Sequence, residues 1–362
     1  MVETRIRVGL AGAGAVARMH MAAYRGSRVV EVVAFAEIDA GRRAAFAAEF
    51  TLKPYDSIGA MLKHERLDLV CVLTPPANHS TAVRECADAG IHVLCEKPLA
   101  VDARTADELM KYCTAKSVRL AYGASYRFLP ALRRARSLIA EGAIGEVRLM
   151  REQEIGGEGL AHQQELGPQH YPKGGPGGGA MGLVDHGIHL IDIFAWLTGS
   201  SVTSAFGRGN VSGGPQDVEF ALLGFNSGAI GQLTYFDGTF PSDLPNEGIF
   251  SAGEGWSANG MVQAGAWNAH PGSISIHGTT GTLRIFHYAN ALFLISTDGT
   301  RQIALEGGPA PLHFRGQIEA VARALRDDTD FPASFDDAVQ ALRVLDALYE
   351  SAAKRVTIEV RP

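Results

Sequence analysis

A short apolar run, Arg5 to Leu10, passes without a linker into Ala11-Gly12-Ala13-Gly14-Ala15-Val16-Ala17. No other stretch constrains the fold as much. Gly12 suits a tight turn, Gly14 lets backbone approach a pyrophosphate, and Ala17 in the third small position allows close helix packing. The segment to Tyr24 can then form a helix whose positive N-terminal end faces phosphate groups. A strand, a GxGxxA turn and a helix in that order open a dinucleotide-binding β/α unit.

The alternation continues. Residues 29–36 read as a strand that ends in Glu37-Ile38-Asp39. An acid about 20 residues past the fingerprint is placed to hydrogen-bond the adenine ribose hydroxyls. Glu37 comes first after the strand and takes that role, while Asp39 suits the N-cap of a helix over 40–50. A carboxylate there repels a 2′-phosphate, so NAD is expected rather than NADP. Arg42 and Arg43 keep NADP as the minority case. A helix over 58–64 leads to a strand over 67–73, followed by the stiff loop Thr74-Pro75-Pro76-Ala77-Asn78-His79. Thr74 and Asn78 are candidate cofactor contacts, with Asn78 or Ser80 as a helix N-cap being the structural alternative.

After a helix over 81–89 and a strand over 91–95 comes Glu96-Lys97-Pro98. A lysine at the carboxyl end of a parallel strand lies where open α/β sheets place their ligands. The proline that follows sets the lysine's backbone direction. A helix over 103–115 and a strand over 118–123 complete a doubly wound parallel sheet.

GAGAVA at the N-terminus, TPPANH after the fourth strand and CEKPLA after the fifth together resemble the glucose–fructose oxidoreductase / inositol dehydrogenase / MocA (Gfo/Idh/MocA) family. The resemblance covers nearly the whole chain. It implies that Lys97 projects into the active site beside the nicotinamide, and that the Lys97–Pro98 bond is cis. Taken together, these readings assign cofactor contacts to Gly12, Gly14, Ala15, Val16, Glu37, Thr74, Pro75, Asn78, His79, Glu96 and Lys97.

The domain boundary is placed at 124/125, giving a Rossmann domain over 1–124 and an α+β substrate and oligomerisation domain over 125–362. In the second domain, residues 146–155 alternate as a strand does. A glycine-rich loop with His162, His170 and Tyr171 follows, and then Asp185-His186-Gly187-Ile188-His189. On a helix Asp185 and His189 share a face, and Asp192 lies one turn beyond His189. A carboxylate beside an imidazole orients it and stabilises its protonated form, as a general acid–base needs. The DxGxH pattern also resembles the family's second signature, which implies that His189 is the base. His186 has no role in that pattern. Six further strands between 202 and 296 predict a large, open, mainly antiparallel sheet. Residues 237–272 interrupt it, with Trp256 and Trp267 able to stack on a sugar or to pack in an ordinary loop. Helices near 311–326 and 335–350 and a last strand over 356–360 close the chain.

The composition narrows the function. A hydrophobic share of 46% with 20% charged residues fits a globular protein with ample core. A net charge of -6 gives no basic face for nucleic acid. The four cysteines match neither a metal nor a disulfide pattern, and no metal site is assigned. No membrane span is expected, and the first strand begins so near Met1 that a cytoplasmic protein is expected. The expected activity is NAD-dependent oxidation of a secondary alcohol of a sugar, cyclitol or sugar derivative. In it Lys97, Asp185 and His189 act on the carbinol, with Lys97 as the alternative base. Redox-neutral glycoside cleavage through a keto sugar, and a non-catalytic sugar or nucleotide sensor, are the competing readings. A homodimer or homotetramer through the second sheet is implied by the resemblance alone.

Overall fold

The computed structural model describes residues 5–155, 182–209, 218–236, 274–287, 290–306 and 313–361. These form two compact units: one runs to Ser125 and includes 313–339, and the other holds the described residues of 126–306 and 340–361.

In the first unit, strands β1 (Ile6–Ala11), β2 (Val30–Ala36), β3 (Lys53–Tyr55), β4 (Leu69–Val72), β5 (His92–Glu96) and β6 (Leu120–Gly123) form one sheet. Their order is β3-β2-β1-β4-β5-β6, and every pairing is parallel. This is the dinucleotide-binding order, whose reversal point lies between β1 and β4. The apolar runs of β4 and β5 are buried throughout because helices cover a parallel sheet on both faces. Those helices are α1 (Ala15–Tyr24), α2 (Ala40–Phe50), α3 (Ile58–His64), α4 (His79–Asp88) and α5 (Ala103–Ala115). Asp39 caps α2 by accepting from the Arg42 amide at 2.7 Å.

Residues 313–339 follow the boundary placed at 124/125 and pack with the first unit. Helix α8 (His313–Arg326) packs against α1 through Phe314, whose ring lies 4.2 Å from that of His20. The Arg315 guanidinium donates to the Ala23 carbonyl at 2.7 Å, and Ser27 donates to Glu319 at 2.8 Å. An apolar stripe of Phe314, Ile318, Val321 and Ala322 takes α8 back to the first unit.

In the second unit the described strands are β7 (Val147–Ile155), β8 (Val202–Gly209), β9 (Val218–Phe225), β10 (Ile230–Phe236), β11 (Ile274–Gly278), β12 (Gly281–Phe286), β13 (Ala291–Ser296), β14 (Gly299–Gln302) and β15 (Ile358–Glu359). They form one sheet in the order β14-β13-β12-β11-β7-β10-β9-β8-β15. Its pairings are antiparallel apart from β7 with β10. Strand β7 therefore lies in the interior of the sheet, with β10 on one side and β11 on the other. Helices α6 (Pro130–Ala140), α7 (Ile188–Thr198) and most of α9 (Phe335–Lys354) belong to this unit. Among the described residues no helix is long and apolar enough to cross a membrane. Trp256, Trp267, His162, His170 and Tyr171 lie outside the described residues.

Candidate active site

The first unit gathers its motifs at the carboxyl ends of β1, β2, β4 and β5. Gly12 has φ +104°, and a Cβ there would sit 2.8 Å from the Leu73 carbonyl oxygen. Only glycine tolerates both that φ and that approach. Gly14 is different: its backbone is extended, and a Cβ would meet nothing within 4 Å. No side chain caps α1, which starts at Ala15. The Thr74 hydroxyl is buried with no hydrogen-bond partner among the described residues. Open space beside Gly14, an uncapped helix start and an unsatisfied hydroxyl are what a dinucleotide's phosphates and sugar would satisfy, so these residues fit the cofactor.

Glu37 accepts from the Ala13 amide at 3.0 Å and from the Asp39 amide at 2.9 Å, and lies 3.4 Å from the Arg42 guanidinium. Arg43 donates to the Glu37 carbonyl at 2.6 Å. The acid is thus fixed at the end of β2 by backbone donors. Two other expected cofactor contacts turn inward instead. His79 is fully buried, with Nδ1 2.8 Å from the Pro98 carbonyl and Nε2 2.8 Å from the Thr74 carbonyl. Its side chain ties the loop after β4 to the loop after β5. Only an imidazolium could donate to both oxygens, but burial outweighs them and moves the imidazole below its usual range. Glu96 is also buried: its Oε1 lies 3.0 Å from His20 Nε2, and its Oε2 accepts from the Lys97 amide at 3.1 Å. Burial pushes this carboxyl up, but the hydrogen bond and charge of His20, with the Lys97 charge, bring it below the usual range. Both side chains hold the loops after β4 and β5 in place. Asn78 is exposed and caps no helix through its side chain. The Lys97–Pro98 bond is cis, as the resemblance implies. All four cysteines are free and buried, and burial pushes the Cys71 thiol up to about 12.

In the second unit residues 182–187 form a π-helical turn that runs directly into α7. Such turns are rare and recur at functional sites. Asp185 and His186 lie on the turn, and His189 lies in the first turn of α7. The His189 ring is nearly buried and stacks on Tyr126, with centroids 3.8 Å apart and planes within 4°. Tyr126 owes its place to the next residue. Arg127 binds Asp192 of α7 through two buried contacts of 2.9 and 2.5 Å, which fixes the 125–128 turn against the helix. Asp192, one helical turn beyond His189 on α7, thus binds Arg127.

His186, which had no role by sequence, is central here. Its Nδ1 lies 3.3 Å from the Tyr126 hydroxyl and its Nε2 3.0 Å from Glu152 of β7. Tyr235 of β10 donates to the other Glu152 oxygen at 3.2 Å. The His287 ring, just past β12, lies 6.2 Å from that of His186 and 5.5 Å from that of Tyr126. Burial drives His287 down to about 3, against the pull of Glu152, so it is neutral near pH 7. Gly187 makes room for this packing, since a Cβ there would meet the Tyr235 ring and hydroxyl at 3.2 Å. Tyr126, Glu152, Tyr235 and His287 were not among the sequence candidates. The sole local signal was the extra histidine at 186.

The comparisons agree with this architecture. Residues 6–124 match the family model described as an oxidoreductase family with an NAD-binding Rossmann fold, and residues 136–360 match that family's C-terminal alpha/beta domain. The rhizopine catabolism protein MocA of Rhizobium meliloti is 27% identical over 96% of this chain and 95% of its own. An inositol 2-dehydrogenase from Leifsonia xyli is 31% identical over 55% of each chain. Among solved structures, a levoglucosan dehydrogenase in complex with NADH and levoglucosan shares the fold at a TM-score of 0.80 and 19% identity, covering 99% of this chain and 100% of that one.

Proposed function

Because the chain belongs to the Gfo/Idh/MocA oxidoreductase family, we propose that it oxidises a secondary alcohol of a sugar, cyclitol or sugar derivative. The observation that carries this reading is the His189 imidazole, held face to face against Tyr126 at the head of α7. Two relatives named for inositol and levoglucosan oxidation support a ring hydroxyl as the target. A bound nicotinamide would supply the hydride acceptor. His189 takes the hydroxyl proton, and the Lys97 ammonium stabilises the alkoxide that develops. Asp185, on the turn before His189, orients the base or a neighbouring hydroxyl. Gly12, Gly14, Ala15, Val16, Thr74 and Pro75 hold the dinucleotide, and the Glu37 carboxylate takes the ribose hydroxyls. Its charge favours NAD over NADP. The same reading includes a cytoplasmic homodimer or homotetramer formed through the second sheet.

The test is a screen of sugars and cyclitols for reduced nicotinamide, followed by kinetics with the best substrate. With His189 as base, kcat/KM for oxidation rises with pH through an imidazole ionisation. His189→Asn loses about 10²–10⁴ in rate together with that acidic limb. Retention of the limb in His189→Asn, with its loss in Lys97→Met, transfers the base role to Lys97. Tighter binding of NADP than of NAD overturns the role of Glu37 and points to Arg42 and Arg43.

A further inference from the structure

We propose that Glu152, His186 and His287 form a site for one divalent transition-metal ion of the Zn²⁺ type. Each residue offers one ligand atom, and the three atoms lie within 4.8 Å of one another. They come from three separate places in the second unit: an interior strand, the π-helical turn and the end of β12. Two imidazoles and a carboxylate form a recurrent three-ligand set that leaves a further position for water or a substrate oxygen. Nitrogen donors select against Mg²⁺ and Ca²⁺, which prefer oxygen ligands.

The surroundings are built as a ligand set requires. Metal-bound imidazoles and carboxylates are normally oriented by hydrogen bonds at their other polar atom. His186 presents Nε2 to Glu152 while Tyr126 engages its Nδ1, and Glu152 presents Oε1 while Tyr235 donates to its Oε2. The Glu152 side chain is 1% exposed, and a cation would compensate a carboxylate buried that deeply. Donors 2.0–2.2 Å from a tetrahedral ion stand about 3.3–3.6 Å apart. Binding therefore opens the 3.0 Å edge between His186 and Glu152 slightly, and draws in any donor pair that stands farther apart than this.

The protons balance without an outside base. A carboxylate only accepts, so in the neutral His186 ring Nε2 carries the proton and Nδ1 accepts from Tyr126. Coordination through Nε2 moves that proton to Nδ1, which then donates to the Tyr126 oxygen. Tyr126 is also the ring on which His189 stacks, so occupancy of the site reaches the proposed base from His186 through Tyr126.

The test uses the full chain, stripped with chelator, returned to chelator-free buffer and titrated with Co²⁺. Wild-type protein should retain about one Co²⁺ per chain after gel filtration, show visible d–d absorption and melt at a higher temperature. His287→Gln should lose stoichiometric retention, and the exposed His64→Gln should retain it. Tyr235→Phe keeps all three ligands and should bind Co²⁺ about 10–100-fold more weakly, the usual cost of losing an outer partner. That arm decides the matter if His287→Gln does not fold. Failure of the wild type to retain Co²⁺, equal retention by folded His287→Gln, or unchanged affinity in Tyr235→Phe each overturns the site.

Discussion

Each unit contains a relay of tyrosine, histidine and glutamate, and the two relays end differently. In the first, the Tyr24 hydroxyl meets His20 Nδ1 at 2.6 Å and His20 Nε2 meets Glu96 at 3.0 Å. In the second, the Tyr126 hydroxyl meets His186 Nδ1 at 3.3 Å and His186 Nε2 meets Glu152 at 3.0 Å. The free oxygen of Glu96 takes the Lys97 amide, which closes the relay on the backbone beside the candidate lysine. The corresponding oxygen of Glu152 takes a tyrosine hydroxyl, and a second imidazole adds a third donor. The same three side chains thus serve to position a backbone where an amide terminates them. In the second unit the histidine and glutamate of the relay, joined by a second imidazole, form the proposed ligand set.

Neutralising each acid breaks or sharpens that contrast, and it gives the largest effect expected. Glu96→Gln removes a charge whose ionised form is favoured by His20 and Lys97, and should cost about 1.5–3 kcal/mol, the scale of hydrogen bonds to charged groups. Glu152→Gln in metal-free protein should cost less, about 1 kcal/mol, since the amide oxygen can still accept from Tyr235. Chemical denaturation of both variants checks this. Equal losses, with no Co²⁺ stabilisation of the wild type, would make both relays purely positional.

The contrast also explains what the sequence reveals. In the first unit each candidate residue follows the end of a strand within a few positions. A hydrophobic run and a turn motif are then enough to locate Gly12, Glu37, Thr74 and Lys97. Strand β3 escapes that reading because it is three residues long and holds Pro54, as an edge strand can. In the second unit the alternation over 146–155 marks a strand, but it does not say that Glu152 points toward His186. That depends on β7 lying between β10 and β11. His287 reads as an isolated histidine until β12 and the π-helical turn are brought together. The return of α8 to the first unit is hidden for the same reason: an amphipathic helix announces a buried face without naming its partner.

A smaller effect tests the clamp that holds the Lys97 loop. Burial lowers His79 in the folded state from the ordinary 6.5. Below that pH the unfolded chain takes up a proton that the folded ring refuses, so stability falls as pH falls toward the lowered folded value. The slope from this one group is at most about 1.4 kcal/mol per pH unit. His79→Gln should show a shallower acid limb in denaturation between pH 7 and 5 (about one to two units of the window). An identical slope in both proteins would mean that His79 titrates normally and that burial does not govern it.

The smallest change in stability is expected at Gly14, and there the sign matters more than the size. Gly12 is required by the fold itself, through its positive φ and the Leu73 carbonyl oxygen 2.8 Å from any Cβ. Gly14 has neither reason to be glycine: φ is -75°, ψ is -169°, and the space beside it is open. An alanine there enters no contact and reduces the freedom of the unfolded chain, so Gly14→Ala should change stability by under about 1 kcal/mol, in the stabilising direction. The methyl group would instead occupy space that the pyrophosphate needs, and NAD affinity should fall. Thermal melts and NAD titrations of the same preparation separate the two effects. A destabilised variant with unchanged NAD affinity would return Gly14 to the fold and remove it from the cofactor site.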